Sequence, residues 1–110
     1  MITEAQIQAV VQRIVDGYAP DRTILFGACA YGTLTEDSDL DLDLLGIKSD
    51  DTRRKIDRIV EISGFAHAIS NAPAMDILVL NSSEEARARQ IRFIVEHKAL
   101  RVGLEVYAAA

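Results

Sequence analysis

Phe26-Gly27-Ala28-Cys29-Ala30-Tyr31-Gly32 and, after four intervening residues, Asp37-Ser38-Asp39-Leu40-Asp41-Leu42-Asp43-Leu44 are the runs that decide how this 110-residue chain folds. Thr23-Ile24-Leu25-Phe26 is a short β-type run that stops at Gly27. The alternation that begins in the second run and turns apolar towards Ile47 predicts a strand over 40–47. Side chains of a strand repeat every two residues, so Asp39, Asp41 and Asp43 share one face and Leu40, Leu42 and Leu44 the other. The leucines have a place in a core. The aspartates do not, and they need another explanation.

Working outward, Thr3-Glu4-Ala5-Gln6 has the form of a capping box. Ile7, Val10, Val11, Ile14, Val15 and Tyr18 follow at the spacing of one helical face, with Gly17 and Pro20 as stops. Residues 28–35 read as a turn with at most one helical turn. Asp50 or Asp51 is expected to cap a second long helix with Ile56, Ile59, Val60 and Ser63 on one face. Residues 75–80 predict a third strand. Ser82-Ser83-Glu84-Glu85 has the form of another capping box, and the last helix or helix pair is expected to turn Ile91, Ile94, Val95 and Val102 inward. Glu105-Val106-Tyr107 can add a short final strand. This order predicts a small α/β or α+β fold in one domain, 1–110. Whether the first two strands pair as a hairpin or in parallel is left open.

The chain holds 12 Lys plus Arg against 17 Asp plus Glu, a net charge of -5, with 49% hydrophobic residues. That is globular composition, and the acidic balance argues against bulk binding to nucleic-acid backbone. The charge is local: residues 36–51 hold seven acids and one base, while the rest of the chain is close to neutral. No apolar run approaches the ~20 residues of a membrane span, and the N-terminus lacks a signal-peptide pattern, so a cytoplasmic protein is expected. One cysteine and two histidines are too few for a typical zinc site.

Neighbouring carboxylates on one strand face repel, and a divalent cation removes the repulsion. Mg²⁺ prefers carboxylate oxygen, usually one or two groups plus water and substrate phosphates. A solvated edge strand that discourages aggregation is the competing explanation. Asp76 opens the third strand and can complete a three-carboxylate set if that strand lies beside the second. Gly27, at a strand end, lets backbone N–H groups approach a phosphate, although a plain tight turn needs a glycine there as well. Other templates fail. Neither acidic frame has the glycine of an EF-hand loop, Thr33 stands where a P-loop needs lysine, and no GxGxxG is present.

Together these residues resemble the polymerase-beta-like nucleotidyltransferases, and most closely their minimal nucleotidyltransferase (MNT) branch. The family pattern is a strand ending in Gly-Ser, about ten residues, Asp-x-Asp on the next strand and a third Asp on a later one. Gly27-Ala28, then ten residues, then Asp39-Leu40-Asp41 match that spacing, and Asp76 takes the third place. The resemblance implies a mixed central sheet of three to five strands flanked by helices. It implies that Asp39, Asp41 and Asp76 are catalytic and hold two Mg²⁺ ions, with Gly27, Ala28 and Ser38 at the nucleotide. It also implies AMP transfer from ATP to a hydroxyl, with loss of pyrophosphate.

MNT proteins commonly act as antitoxins beside a partner with a HEPN (higher eukaryotes and prokaryotes nucleotide-binding) domain. The resemblance therefore implies a protein acceptor of that kind, since a chain of this length leaves no room for a separate acceptor-binding domain; a homo-oligomer is the other way to bring an acceptor. One departure bears on activity: the motif serine is Ala28 here. Losing a hydrogen bond to a charged phosphate costs about 1.5–3 kcal/mol, which leaves open an antitoxin that neutralises its toxin by binding alone. Asp43 is expected to pair with an arginine or reach solvent. Arg53-Arg54-Lys55 with Arg58, and Arg87, Arg89 and Arg92, read as solvated helix faces, and His67 and His97 as surface or helix-end residues.

Overall fold

The computed structural model describes residues 2–27, 30 and 41–110. Its elements run α1 (Glu4–Tyr18), β1 (Arg22–Phe26), β2 (Leu42–Ile47), α2 (Lys55–Ala66), β3 (Met75–Leu80), α3 (Ser82–Ala88), α4 (Val95–Val102) and β4 (Leu104–Ala108). The strands form one mixed sheet in the order β3-β2-β1-β4. β1 pairs antiparallel with both β2 and β4, and β2 pairs parallel with β3. The pairing that the sequence left open is thus antiparallel. No described helix is long and apolar enough to cross a membrane.

The period-two alternation of β2 sorts the core into two layers. Leu42 and Leu44 point with Leu25 and Val79 into a cluster with Val10, Val11, Ile14 and Tyr18 of α1 and Ile62 and Ala66 of α2. Leu45 and Ile47 point the other way, with Ile24, Phe26 and Leu80, against Ala88 of α3 and Ala99 of α4. Asp43 falls in the second set by the same alternation, and so does Asp76, in step with Leu78 and Leu80 on β3.

Local signals explain the helix ends, with corrections. The Thr3–Gln6 capping box closes as expected. The second box is formed by Asn81 and Glu84, one residue earlier than the serine pair indicated. Gly17 is no stop: α1 runs on to Tyr18, and Ala19 ends it in the left-handed region at φ 54°. A Cβ on Gly17 would overlap the Phe65 ring, so the glycine serves the packing of α2 on α1.

Asp51 does not cap α2, which starts at Lys55 without a side-chain cap. Its carboxylate is instead buried. It accepts from Tyr18 Oη at 2.9 Å, from Arg53 Nη2 at 2.7 Å and from Arg53 Nε at 2.8 Å. The inward face of α2 is rotated from the expected one. Ile56 and Val60 are exposed, while Arg58 is 2% exposed. Its guanidinium grips Glu84 at 2.6 and 3.0 Å and donates to the Arg53 carbonyl at 2.9 Å. Burying a charge is tolerated only with this degree of pairing. On α4 and the segment before it, Ile91, Val95 and Val102 are exposed, and Ala88 and Ala99 take the interior places.

Candidate active site

β1 ends, and β2 and β3 begin, at the same edge of the sheet. The register sets Phe26 opposite Asp43 and Asp43 beside Asp76. Neighbouring strands lie about 4.8 Å apart, so the two carboxylates arise from adjacent backbone positions on one sheet face. Asp41 precedes β2 by one residue, and its strand-like spacing puts it on that side too. Asp41 and Asp76 are exposed and Asp43 is half-buried. α3 and α4 cover the far end of this face, over Ile47 and Leu80, and the acidic end carries Asp41 and Asp76 at the surface.

The electrostatics follow from that crowding. Burial, then the charges of Asp76 and Asp41, push the Asp43 carboxyl up to about 6. No cation among the described residues lowers it, so the expected arginine pairing of Asp43 is not found there. Asp43 lies on the face the sequence assigns it, with Asp41, and stands beside Asp76 in the register.

Gly27 completes the edge. Its φ is +73°, a conformation that L side chains rarely adopt, and a Cβ there would overlap the Asp43 carboxylate. The Ala30 amide donates to the Gly27 carbonyl at 3.0 Å, so the chain turns immediately after β1. Gly27→Ala should therefore cost about 2 kcal/mol or more, from left-handed strain and displacement of Asp43. Urea unfolding measures this; a loss below about 0.5 kcal/mol would show that the close approach is dispensable.

Of the residues singled out by sequence, Gly27, Asp41 and Asp76 meet at one edge. Ala28, Ser38 and Asp39 lie outside the described residues. Among the described residues no group of three or more His, Cys, Asp or Glu is arranged to hold a metal ion. The distant acids of the 36–51 stretch belong elsewhere: Asp51 sits beyond the opposite end of β2, neutralised by Arg53.

No protein-family model matches the chain, and no curated protein matches it significantly. Among solved structures it is similar to a "putative nucleotidyltransferase" from Sulfolobus solfataricus, at 26% identity and a TM-score of 0.53. The match covers 76% of this chain and 77% of that one.

The fold is that of a small nucleotidyltransferase. The likeness supports the nucleotidyltransferase superfamily and, at a general level, nucleotidyl transfer. It accounts for the four-stranded mixed sheet with helices on both faces.

Proposed function

We propose that the chain is a Mg²⁺-dependent nucleotidyltransferase that moves AMP from ATP to a hydroxyl of a protein partner, as the antitoxin of a HEPN/MNT pair. The observation that carries this reading is the set of carboxylates brought to one sheet edge beside a left-handed glycine turn. The charges of Asp76 and Asp41 help to push the Asp43 carboxyl up, a divalent cation offsets such crowding, and carboxylate oxygen is the donor Mg²⁺ takes. Carboxylate oxygen suits this metal; Asp41 and Asp76 meet at the edge, and Asp39 lies outside the described residues. Asp39, Asp41 and Asp76 would hold it, and it would supply charge neutralisation on the triphosphate and polarisation of the α-phosphorus.

The chain's own residues have the remaining tasks. Gly27, left-handed at the end of β1, lets the chain turn close against the acidic edge, where backbone amides can meet phosphate. Asp76, exposed at the start of β3, takes the proton of the attacking hydroxyl as pyrophosphate leaves in line. Asp43, half-buried behind them, adds negative charge that strengthens cation binding at the edge.

Calorimetry with ATP tests the reading. Binding should need Mg²⁺ and vanish with EDTA; equal affinity with and without the metal would refute it. Ala28 in place of the motif serine favours a second reading, in which the protein binds its partner and neutralises it without transfer. In that case Asp41→Asn leaves neutralisation intact.

A further inference from the structure

α3 and α4 cover the same sheet face that carries Asp43 and Asp76, but their outer surface has the opposite charge. A cavity of about 620 Å³ opens there, lined by Arg89, Arg92, His97, Lys98, Arg101 and Val102. Five of the chain's 12 basic residues fall within 87–101, against a single acid, Glu96. On an acidic protein this concentration is not an average surface.

The pocket is organised as well as charged. Arg89 is held by Glu85 at 2.7 Å, and the same carboxylate oxygen also takes Arg22, so its one charge is shared between two guanidinium groups. His97 lies with Nδ1 3.0 Å from the Ala88 carbonyl oxygen, which fixes the ring against the end of α3. Arg92 and Arg101 are exposed and have no ion pair among the described residues. The C-terminal dipole of α4 favours a cation at Arg101, but Arg92 precedes that helix and has no such reason. Phe93, beside the pocket in sequence, is fully exposed.

We propose that this pocket is a binding site for the phosphate groups of a polyphosphorylated ligand, separate from the carboxylate edge. Three arginines supply planar forks that match pairs of phosphate oxygens. The cavity has the volume of a small-ligand site and is concave, unlike the flat surfaces typical of protein partners. The phosphates can belong to a free polyphosphate or to a short single-stranded nucleic acid whose base stacks on Phe93. The site does not depend on nucleotidyl transfer, because it shares no residue with that edge.

Calorimetry on the full chain, in EDTA and low salt, separates the possibilities, with inorganic tripolyphosphate and a 5′-phosphorylated trinucleotide as probes. Arg92→Glu and Arg101→Glu should each weaken binding by about tenfold or more. Arg13→Glu, an equal charge change at an exposed position of α1, should alter it by less than about twofold. EDTA removes any contribution from metal-dependent binding, so the outcome is independent of the transfer reaction. Stronger binding of the trinucleotide, lost in Phe93→Ala, supports the site with nucleic acid as the source. Binding of tripolyphosphate at least as strong supports it with a free polyphosphate. No binding of either probe at millimolar concentration, or equal losses in all three arginine variants, overturns it.

Discussion

Asp76→Asn should lower nucleotidyl transfer by at least about a hundredfold and leave the fold as stable as before, or slightly more so. The two effects have one cause. Asp76 is exposed at the start of β3, where a neutral isostere costs no packing. In the metal-free protein its charge lies beside Asp43, whose carboxyl it helps to push upward, so removing that charge relieves repulsion. The same charge is what a cation and an acceptor proton need. Asp41→Asn should cost a similar factor in transfer. A functional edge assembled against its own electrostatics is the usual exchange of stability for activity. Urea unfolding checks the first half: an Asp76→Asn protein more than about 1 kcal/mol less stable than the parent would show that the carboxylate is structural.

The second large effect lies at the other end of β2 and has the opposite sign. Asp51 is buried, and the hydrogen bonds from the Arg53 guanidinium hold its carboxyl far below the usual range, with Tyr18 adding to them. A depressed folded-state pKa contributes stability that is present above the unfolded value, near 3.9, and is lost as pH falls below it. Protonation would strand Arg53, which also bridges to Glu61 at 2.8 Å. Asp51→Asn should therefore cost on the order of 2 kcal/mol at pH 7, and its gap from the parent should start to narrow as pH falls below about 4 and go on narrowing towards the far lower folded value. Other paired acids, Glu84 and Glu85 among them, also lose their partners' support in acid, so both proteins weaken there. Parallel stability curves across that range would remove Asp51 from the explanation.

These two sites show what the sequence made legible. Strand alternation around Asp41 and Asp43, and the Gly27 stop before them, marked β1 and β2 and the edge they build, because period-two patterning is a local signal. The first helix was equally readable, from its capping box to Tyr18. Pairs distant in the chain were hidden. Nothing in the 53–58 basic run reveals that Arg58 meets Glu84, 26 residues away, and so turns a charged residue inward and Val60 outward. Asp51 has the look of a helix cap beside Asp50, and only the approach of Tyr18 and Arg53 shows its buried role. Gly17 likewise reads as a stop until Phe65 is seen across it. At the edge itself, alternation puts Asp43 on the face of Asp41, and only the sheet register shows that its neighbour is Asp76 and no arginine among the described residues.

Transfer itself is the decisive observation. The protein is incubated with Mg²⁺, ATP labelled at the α-phosphate and the protein encoded by the adjacent reading frame, in parallel with Asp41→Asn and Asp76→Asn. The expected result is label on the neighbouring protein, with pyrophosphate released in step, and loss of both in the two variants and in EDTA. No label and no pyrophosphate from the parent, or the same yield from parent and variants, would contradict a nucleotidyl-transfer site at this edge.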